Sequence, residues 1–403
     1  MQSDRRQLAG VLVNSGMAVT SLGVARCFGR HGIPVICLNS EQHSIAQYSR
    51  YVSRCLKCPS LKDETAYVNM LLDFGKQIQS KMIILPTGDR DVLVLSKYKE
   101  KLEQFYLIPV PSHEIVQKFV NKKNFYKYIH AMEIPHPRTY FPTNITELGE
   151  MGRQIAYPYI VKPADSLFFQ EEFHRKCFVI NSCQELDWAV DQLRDMNLEI
   201  MIQEIVPGNE IYDFYTYLNR ESLPLAICGW DKLRQFPPDF GTGSLCKSIW
   251  RPNIVEPTIR MLQAIGYYGF ANPELIKDPR DGIYKLLEIN VRITLQNRLA
   301  AACGVDIEYT AYLDAIGHHV LNQFVSRSNI LWVDDFLDLV SRLILLRRKE
   351  GGISRVIKSL KARKVHSVVA WDDPLPTIAR AVYLFRGALR RLFRNRFTIA
   401  ITL

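Results

Sequence analysis

The stretch from Phe270 to Val291, FANPELIKDPRDGIYKLLEINV, constrains the fold more than any other part of the chain. Two runs of strand-forming residues, 270–276 and 283–291, flank the turn-forming Asp278-Pro279-Arg280-Asp281-Gly282 and predict a hairpin. Side chains alternate along a strand, so Glu288 and Asn290 share one face while Leu287, Ile289 and Val291 take the other. A turn centred near Arg280 sets Glu274 opposite Glu288. Three oxygen-bearing side chains then converge, followed at once by Arg292. Hard cations such as magnesium favour that ligand set, above all when bridged to phosphate oxygens. A solvated hairpin could carry the same charges on its outer face. The apolar opposite face argues for a covered sheet, where paired acids need a reason.

A chain of 403 residues buries a real core and divides into two or three domains. Nine cysteines are scattered, and only Cys55 and Cys58 have metal-like spacing, with no second pair to close a zinc site. Free thiols in a reducing compartment are the expectation. Arg5-Arg6 followed by LAGVLV imitates a signal peptide, but Asn14-Ser15-Gly16 interrupts it. No run of about 18 apolar residues exists, so no transmembrane helix is expected. The expected location is the cytoplasm.

Residues 10–38 read strand, loop, helix, strand, which is a βαβ unit and implies a parallel sheet. The GxGxxG fingerprint is missing and Asn39 stands where a ribose-binding acid would be wanted, so a dinucleotide site is not expected. Met82–Leu85 and Phe105–Val110 extend the sheet. Thr87 and Asp89 follow the first of these strands, where parallel sheets bind ligands; Asp89 would serve equally as a helix cap. A lysine-rich helix from Asn121 to Met132 precedes strands at 157–163 and 176–181 and a helix around 185–196. Alternation from Ile211 to Trp250 predicts an antiparallel sheet.

The charge is uneven. Residues 342–403 hold 15 Lys/Arg against 3 Asp/Glu, and the preceding part 36 against 38. From Asp334 onward the pattern is helical and basic. Between Pro376 and Phe397, positions 378, 381, 382, 384, 385, 388, 389, 392 and 393 form an apolar half-wheel opposite Arg380, Arg386, Arg390, Arg391 and Arg394. Such a helix lies on an anionic membrane surface at the inner face, or packs against the body or a second subunit. No motif accompanies the charge to suggest nucleic acid.

The order of these elements resembles the ATP-grasp superfamily over residues 8–320, within it the carboxylate–amine ligases similar to D-aspartate ligase. The resemblance rests on Asn121-Lys122-Lys123, YIVKP (159–163), KCFVIN (176–181), QEIVPGNE (203–210), GWDKLRQFPPDFGTGS (229–244), the hairpin acids and DDPLP (372–376). It implies an α/β fold with an α+β central part: an N-terminal parallel-sheet domain (1–115), an ATP-grasp domain (116–325, with a small subdomain at about 140–207 and a catalytic sheet at about 208–325) and a basic helical extension (326–403). It also implies that Lys123, Lys162 and Lys176 reach the nucleotide phosphates. Gln203, Glu204, Ile205 and Val206 would line the adenine hinge, Glu210 would take the ribose, and Glu274, Glu288 and Asn290 would hold magnesium or manganese. Arg292, Lys232 and Arg234 would act on the substrate, the last two from one strand face. Thr242 and Ser244, in a Gly-Thr-Gly-Ser loop, are substrate candidates beside Thr87 and Asp89. The loop between Lys162 and Lys176, ADSLFFQEEFHR, departs from the family in having no glycine, which leaves Phe168 and Phe169 as an apolar lid.

The implied activity is ATP-dependent joining of a small carboxylate to an amine through an acyl phosphate. The alternatives are another acyl-phosphate chemistry, carboxylase-like, and a non-catalytic ATP-binding protein docked by its basic tail.

Overall fold

The computed structural model describes residues 10–14, 18–40, 44–165, 169, 172–173, 176–196, 198–238, 240–324, 328–348 and 364–386. Three sheets organise them. The first is parallel, in the order β3-β2-β1-β4-β5, from β1 (Val11–Asn14), β2 (Val35–Asn39), β3 (Arg54–Lys57), β4 (Met82–Leu85) and β5 (Tyr106–Leu107). The expected βαβ unit is present: β1 pairs in parallel with β2 across α1 (Ala18–Arg30). All four residues of β1 are buried, as a strand covered on both faces requires. Helices α2 (Glu64–Gly75), α3 (Asp89–Lys97), α4 (Lys99–Leu102) and α5 (His113–Val120) follow in this part.

Helix α6 (Lys122–Ala131) leads to a small antiparallel sheet, β6-β9-β7-β8, made of β6 (Thr139–Tyr140), β7 (Tyr159–Pro163), β8 (Phe178–Ile180) and β9 (Ile200–Glu204). Two helices, α7 (Ile145–Gln154) and α8 (Cys183–Leu193), pack on it and enclose a separate core around Tyr159, Val161, Phe178 and Leu186. Phe169 belongs to that core and packs against Phe173 and Phe178. It is therefore a buried anchor and not the open lid expected of it; Phe168 lies outside the described residues.

The third sheet has the path β14-β13-β10-β11-β12-β16-β17, with β15 beside β11. Its strands are β10 (Ile211–Leu218), β11 (Pro224–Phe236), β12 (Thr242–Ser248), β13 (Gly269–Lys277), β14 (Tyr284–Asn290), β15 (Gln323–Phe324), β16 (Leu331–Val333) and β17 (Lys364–His366). Helices α9 (Pro252–Ala264), α10 (Asn297–Ala302) and α11 (Ile307–Ala315) accompany it. Apolar residues of this sheet and of the parallel sheet merge into both large cores: Leu12 and Ile84 with Phe214 and Leu275, and Val13 and Val35 with Trp230 and Phe270.

The basic C-terminal part contributes helices α12 (Asp335–Arg347) and α13 (375–386), and also the short strands β16 and β17. Between β17 and α13 the chain turns back onto the parallel domain. There Asp373 receives Arg26 Nε at 2.9 Å, Ser49 Oγ at 2.7 Å and the Arg50 amide at 3.0 Å. Asp372 takes Arg30 and the Tyr51 hydroxyl. Residues 387–397 of the amphipathic stretch lie outside the described residues. Among the described residues no helix is long and apolar enough to cross a membrane.

Candidate active site

The hairpin pairs as the alternation requires, with Glu274 opposite Glu288 and Asn272 opposite Asn290. Its turn is closed by the Gly282 amide to the Asp278 carbonyl at 2.7 Å, with Gly282 at φ +75°. Asp278, fully buried, accepts from Arg280 and Lys285 and locks the tip. On the neighbouring strand Asp213 stands opposite Glu274, so three acids form a row across β10, β13 and β14.

Two lysines neutralise the row. Lys122 Nζ lies 3.0 Å from Glu288, and Lys232 Nζ 2.7 Å from Glu274 and 3.9 Å from Asp213. The Lys122 charge holds the Glu288 carboxyl far below the usual range. Against the cost of burial, Glu288 in turn holds Lys122 above the usual lysine range. Asp213 goes the other way: burial raises it, opposed by Lys232, and Glu274 raises it further. Its Oδ2 accepts from Trp230 Nε1 at 3.2 Å, while its buried Oδ1 has no hydrogen-bond partner among the described residues.

Above this floor the small sheet supplies Lys162, whose Nζ donates to Gln203 at 2.7 Å and lies 5.0 Å from the centre of the Tyr126 ring. Burial, and then the charge of Lys122, push Lys162 down to about 7. Tyr126 donates to the Leu287 carbonyl, and the Lys122 amide donates to the Ala164 carbonyl, so α6 is bonded to both lobes. The cleft between them, open to solvent, has a volume of about 1090 Å³, enough for a nucleotide and a second small molecule. Lys162, Lys176, Gln203–Val206, Glu274, Glu288, Asn290, Arg292, Asp89 and Thr242 all line it. At the hinge, a Cβ on Gly208 would sit 2.4 Å from the Lys277 carbonyl oxygen, so only glycine lets the hinge lie against the end of β13. Arg292 donates to Asp89 at 2.8 Å and to Asn290 at 3.2 Å, tying the loop after β4 to the acid floor.

Several expected residues are placed differently. Asn121 is the cap of α6, its side chain accepting from the Asn124 amide, so Lys122 opens the helix and enters the cleft. Lys123 points away and pairs with Glu199 at 2.7 Å. Lys232 and Arg234 do not share a face. The register between β11 and β12 slips by one residue at Leu233, and this bulge turns Arg234 onto α12, where it meets Asp338 at 2.7 Å. Lys232 is buried behind Glu274, its side chain 3% exposed. Ser244 is buried and donates to Asp338 at 3.4 Å. Glu210, 61% exposed, turns out to Lys277 at 3.3 Å. Thr87 is buried and donates to Asp91 and to the Asn14 carbonyl, so it shapes the loop instead of facing the cleft.

The residues missed in the sequence are Lys122 as a cleft residue, Tyr126, Asp91 and Asp213. Burial raises Asp91 to about 6, opposed by hydrogen bonds from Thr87 and Gly88. Asp213 had a readable signal, being the one acid inside the apolar run IYDFYTYL. The oxygen donors of Glu274, Glu288 and Asn290, with an unpartnered buried oxygen of Asp213 in the same row, fit a hard divalent cation.

No protein-family model matches the chain. It is 24% identical over 306 residues to the D-aspartate ligase of Enterococcus faecium, covering 72% of each chain. It is 22% identical over 209 residues to the large chain of carbamoyl phosphate synthase from Methanobrevibacter smithii, spanning 19% of that protein. Among solved structures, the biotin carboxylase domain of 2-oxoglutarate carboxylase from Hydrogenobacter thermophilus, a complex with MgADP, ADP and bicarbonate, aligns with a TM-score of 0.63 at 14% identity, covering 80% of this chain and 73% of that one. The L-amino acid ligase from Bacillus licheniformis aligns with a TM-score of 0.59 at 17% identity, covering 78% and 75%. These likenesses show that the chain has the ATP-grasp fold.

Proposed function

We propose that the protein uses ATP and magnesium to join a small carboxylate to an amine. The observation that carries this reading is the meeting, in one cleft, of Lys162 and Lys122 with the row Glu274, Glu288 and Asn290. In this reading Lys122, Lys162 and Lys176 hold the phosphates, and the backbone from Glu204 to Val206 reads the adenine edge. Glu274, Glu288 and Asn290 would hold magnesium, with manganese as a substitute; the ion supplies charge neutralisation at the phosphates. Arg292 orients the carboxylate, whose oxygen attacks the γ-phosphorus as ADP leaves. The amine then attacks the acyl carbon, the amide bond forms and phosphate departs. Asp89 and Thr242 border the same space and serve the second substrate, while Lys232 and Asp213 position Glu274 from behind. Closure of the small sheet keeps water from the acyl phosphate.

The test is ADP release by the purified protein with magnesium-ATP. Release is expected only when a carboxylate and an amine are both present, and the D-aspartate ligase relative makes D-aspartate the first to try. Nucleotide binding without turnover across a broad panel would favour a non-catalytic binder; turnover with bicarbonate alone would favour carboxylase-like chemistry.

The depressed Lys162 gives a second prediction. A phosphate beside its amine restores the proton, so nucleotide binding at pH 8 should take up close to one proton (~1). Above pH 7 affinity should fall as pH rises. For folding the sign is opposite: the unfolded chain binds more protons between about 7 and 10.5, so this residue's contribution to stability rises with pH across that window. Calorimetry in buffers of different ionisation enthalpy reads the uptake, and Lys162→Arg should remove it. Unchanged uptake in that variant would assign the proton elsewhere.

A further inference from the structure

We propose that helix α13 docks through its outward apolar stripe on an anionic lipid bilayer surface. The helix sits on the body with its faces inverted. Of its two arginines, Arg380 is turned inward, reaching both carboxylate oxygens of Asp334 at 3.2 Å with its guanidinium 5.4 Å from the Phe336 ring centre, while Arg386 is exposed at the edge of the outward side. Thr377 donates to the Val368 carbonyl on the same side, and Pro376 is buried. At about 100° per residue, the side opposite Arg380 and Pro376 carries Leu375, Ile378, Val382 and Phe385. All four are exposed, by 57%, 57%, 44% and 66%. A helix that merely packs on its own protein buries such a stripe; here the stripe is outside and Arg380 is inside. Trp371, 99% exposed, stands just before the helix, and an indole at the rim of an apolar surface suits the bilayer interface. A second exposed apolar row, Leu339, Leu343 and Leu346, runs along α12 from the corner where Arg380 meets Asp334.

Charge decides between a bilayer and a second copy of the chain. Residues 342–403 carry 15 Lys/Arg against 3 Asp/Glu, and Asp372 and Asp373 among those acids are already bound to the parallel domain. A two-fold contact through α13 would set this basic segment beside its own image, whereas an anionic leaflet attracts it.

The test is sedimentation of the full-length protein with vesicles of phosphatidylcholine alone or mixed with phosphatidylglycerol. Binding to the mixed vesicles is expected to be at least about tenfold tighter than to the neutral ones and to weaken with salt. Val382→Glu combined with Phe385→Glu should lose about tenfold or more of that binding while keeping the melting temperature and any magnesium-ATP turnover. Three results would overturn the proposal: no binding to mixed vesicles, binding untouched by the double substitution, or a wild-type dimer in light scattering that the double substitution dissociates.

Discussion

Replacing Glu288 with Gln is expected to lower turnover by about 10²–10³-fold, the range for removing one group that stabilises developing charge. Glu288 is the acid nearest Lys122 and lies next to Asn290, so the amide keeps the shape but loses the charge that both the lysine and a divalent cation need. Because the side chain faces the cleft and not a core, the melting temperature should stay close to wild type. Raising magnesium should restore part of the loss. A companion pair separates the two neighbouring lysines: Lys122→Met should weaken nucleotide binding and turnover together, while Lys123→Met, whose partner is Glu199, should do neither. Full turnover in the Glu288 variant would sink the metal assignment; a strong effect at Lys123 with none at Lys122 would sink the placement of α6.

Asp373→Ala is expected to destabilise the protein by about 3–5 kcal/mol, the usual cost of removing one partner from a buried pair. The pair is fully enclosed, with Arg26 and Asp373 side chains 0% and 1% exposed, and the substitution strands a buried guanidinium, the Ser49 hydroxyl and the Arg50 amide together. Asp372→Ala, one residue away but half exposed, should cost less than about 1 kcal/mol. Urea midpoints of the two variants provide the check. Equal and small losses would show that this corner does not hold the parallel domain to the rest of the chain.

The hairpin could be read from the sequence because its information is local. A turn of known chemistry fixes the register, and alternation does the rest, which is why Glu274 and Glu288 fell opposite each other. The parallel opening was readable for the same reason. Errors came where one residue of phase decides. Asn121 as a cap shifts every later side chain of α6 by about 100°, exchanging Lys123 for Lys122. The bulge at Leu233 likewise reverses the face of Arg234, and nothing in KLRQF announces a bulge. Strands of three residues such as β16 and β17 are too short to show a period, so their place in the large sheet was hidden in a basic run. The partners of Asp372 and Asp373 lie more than 300 residues away, beyond the reach of any local pattern.

The paired charges of the cleft bear on what the protein ignores. Lys122 faces Glu288, Lys232 faces Glu274 and Arg292 faces Asp89, so these side chains of the site are electrically matched in pairs. A free polyanion would have to break those pairs and leave the acids facing its own charge. A ligand that arrives with both signs can exchange partners with each pair in turn. Discrimination of this kind is set by repulsion as much as by attraction, and it makes the carboxylates of the floor selectors against bare phosphates in general.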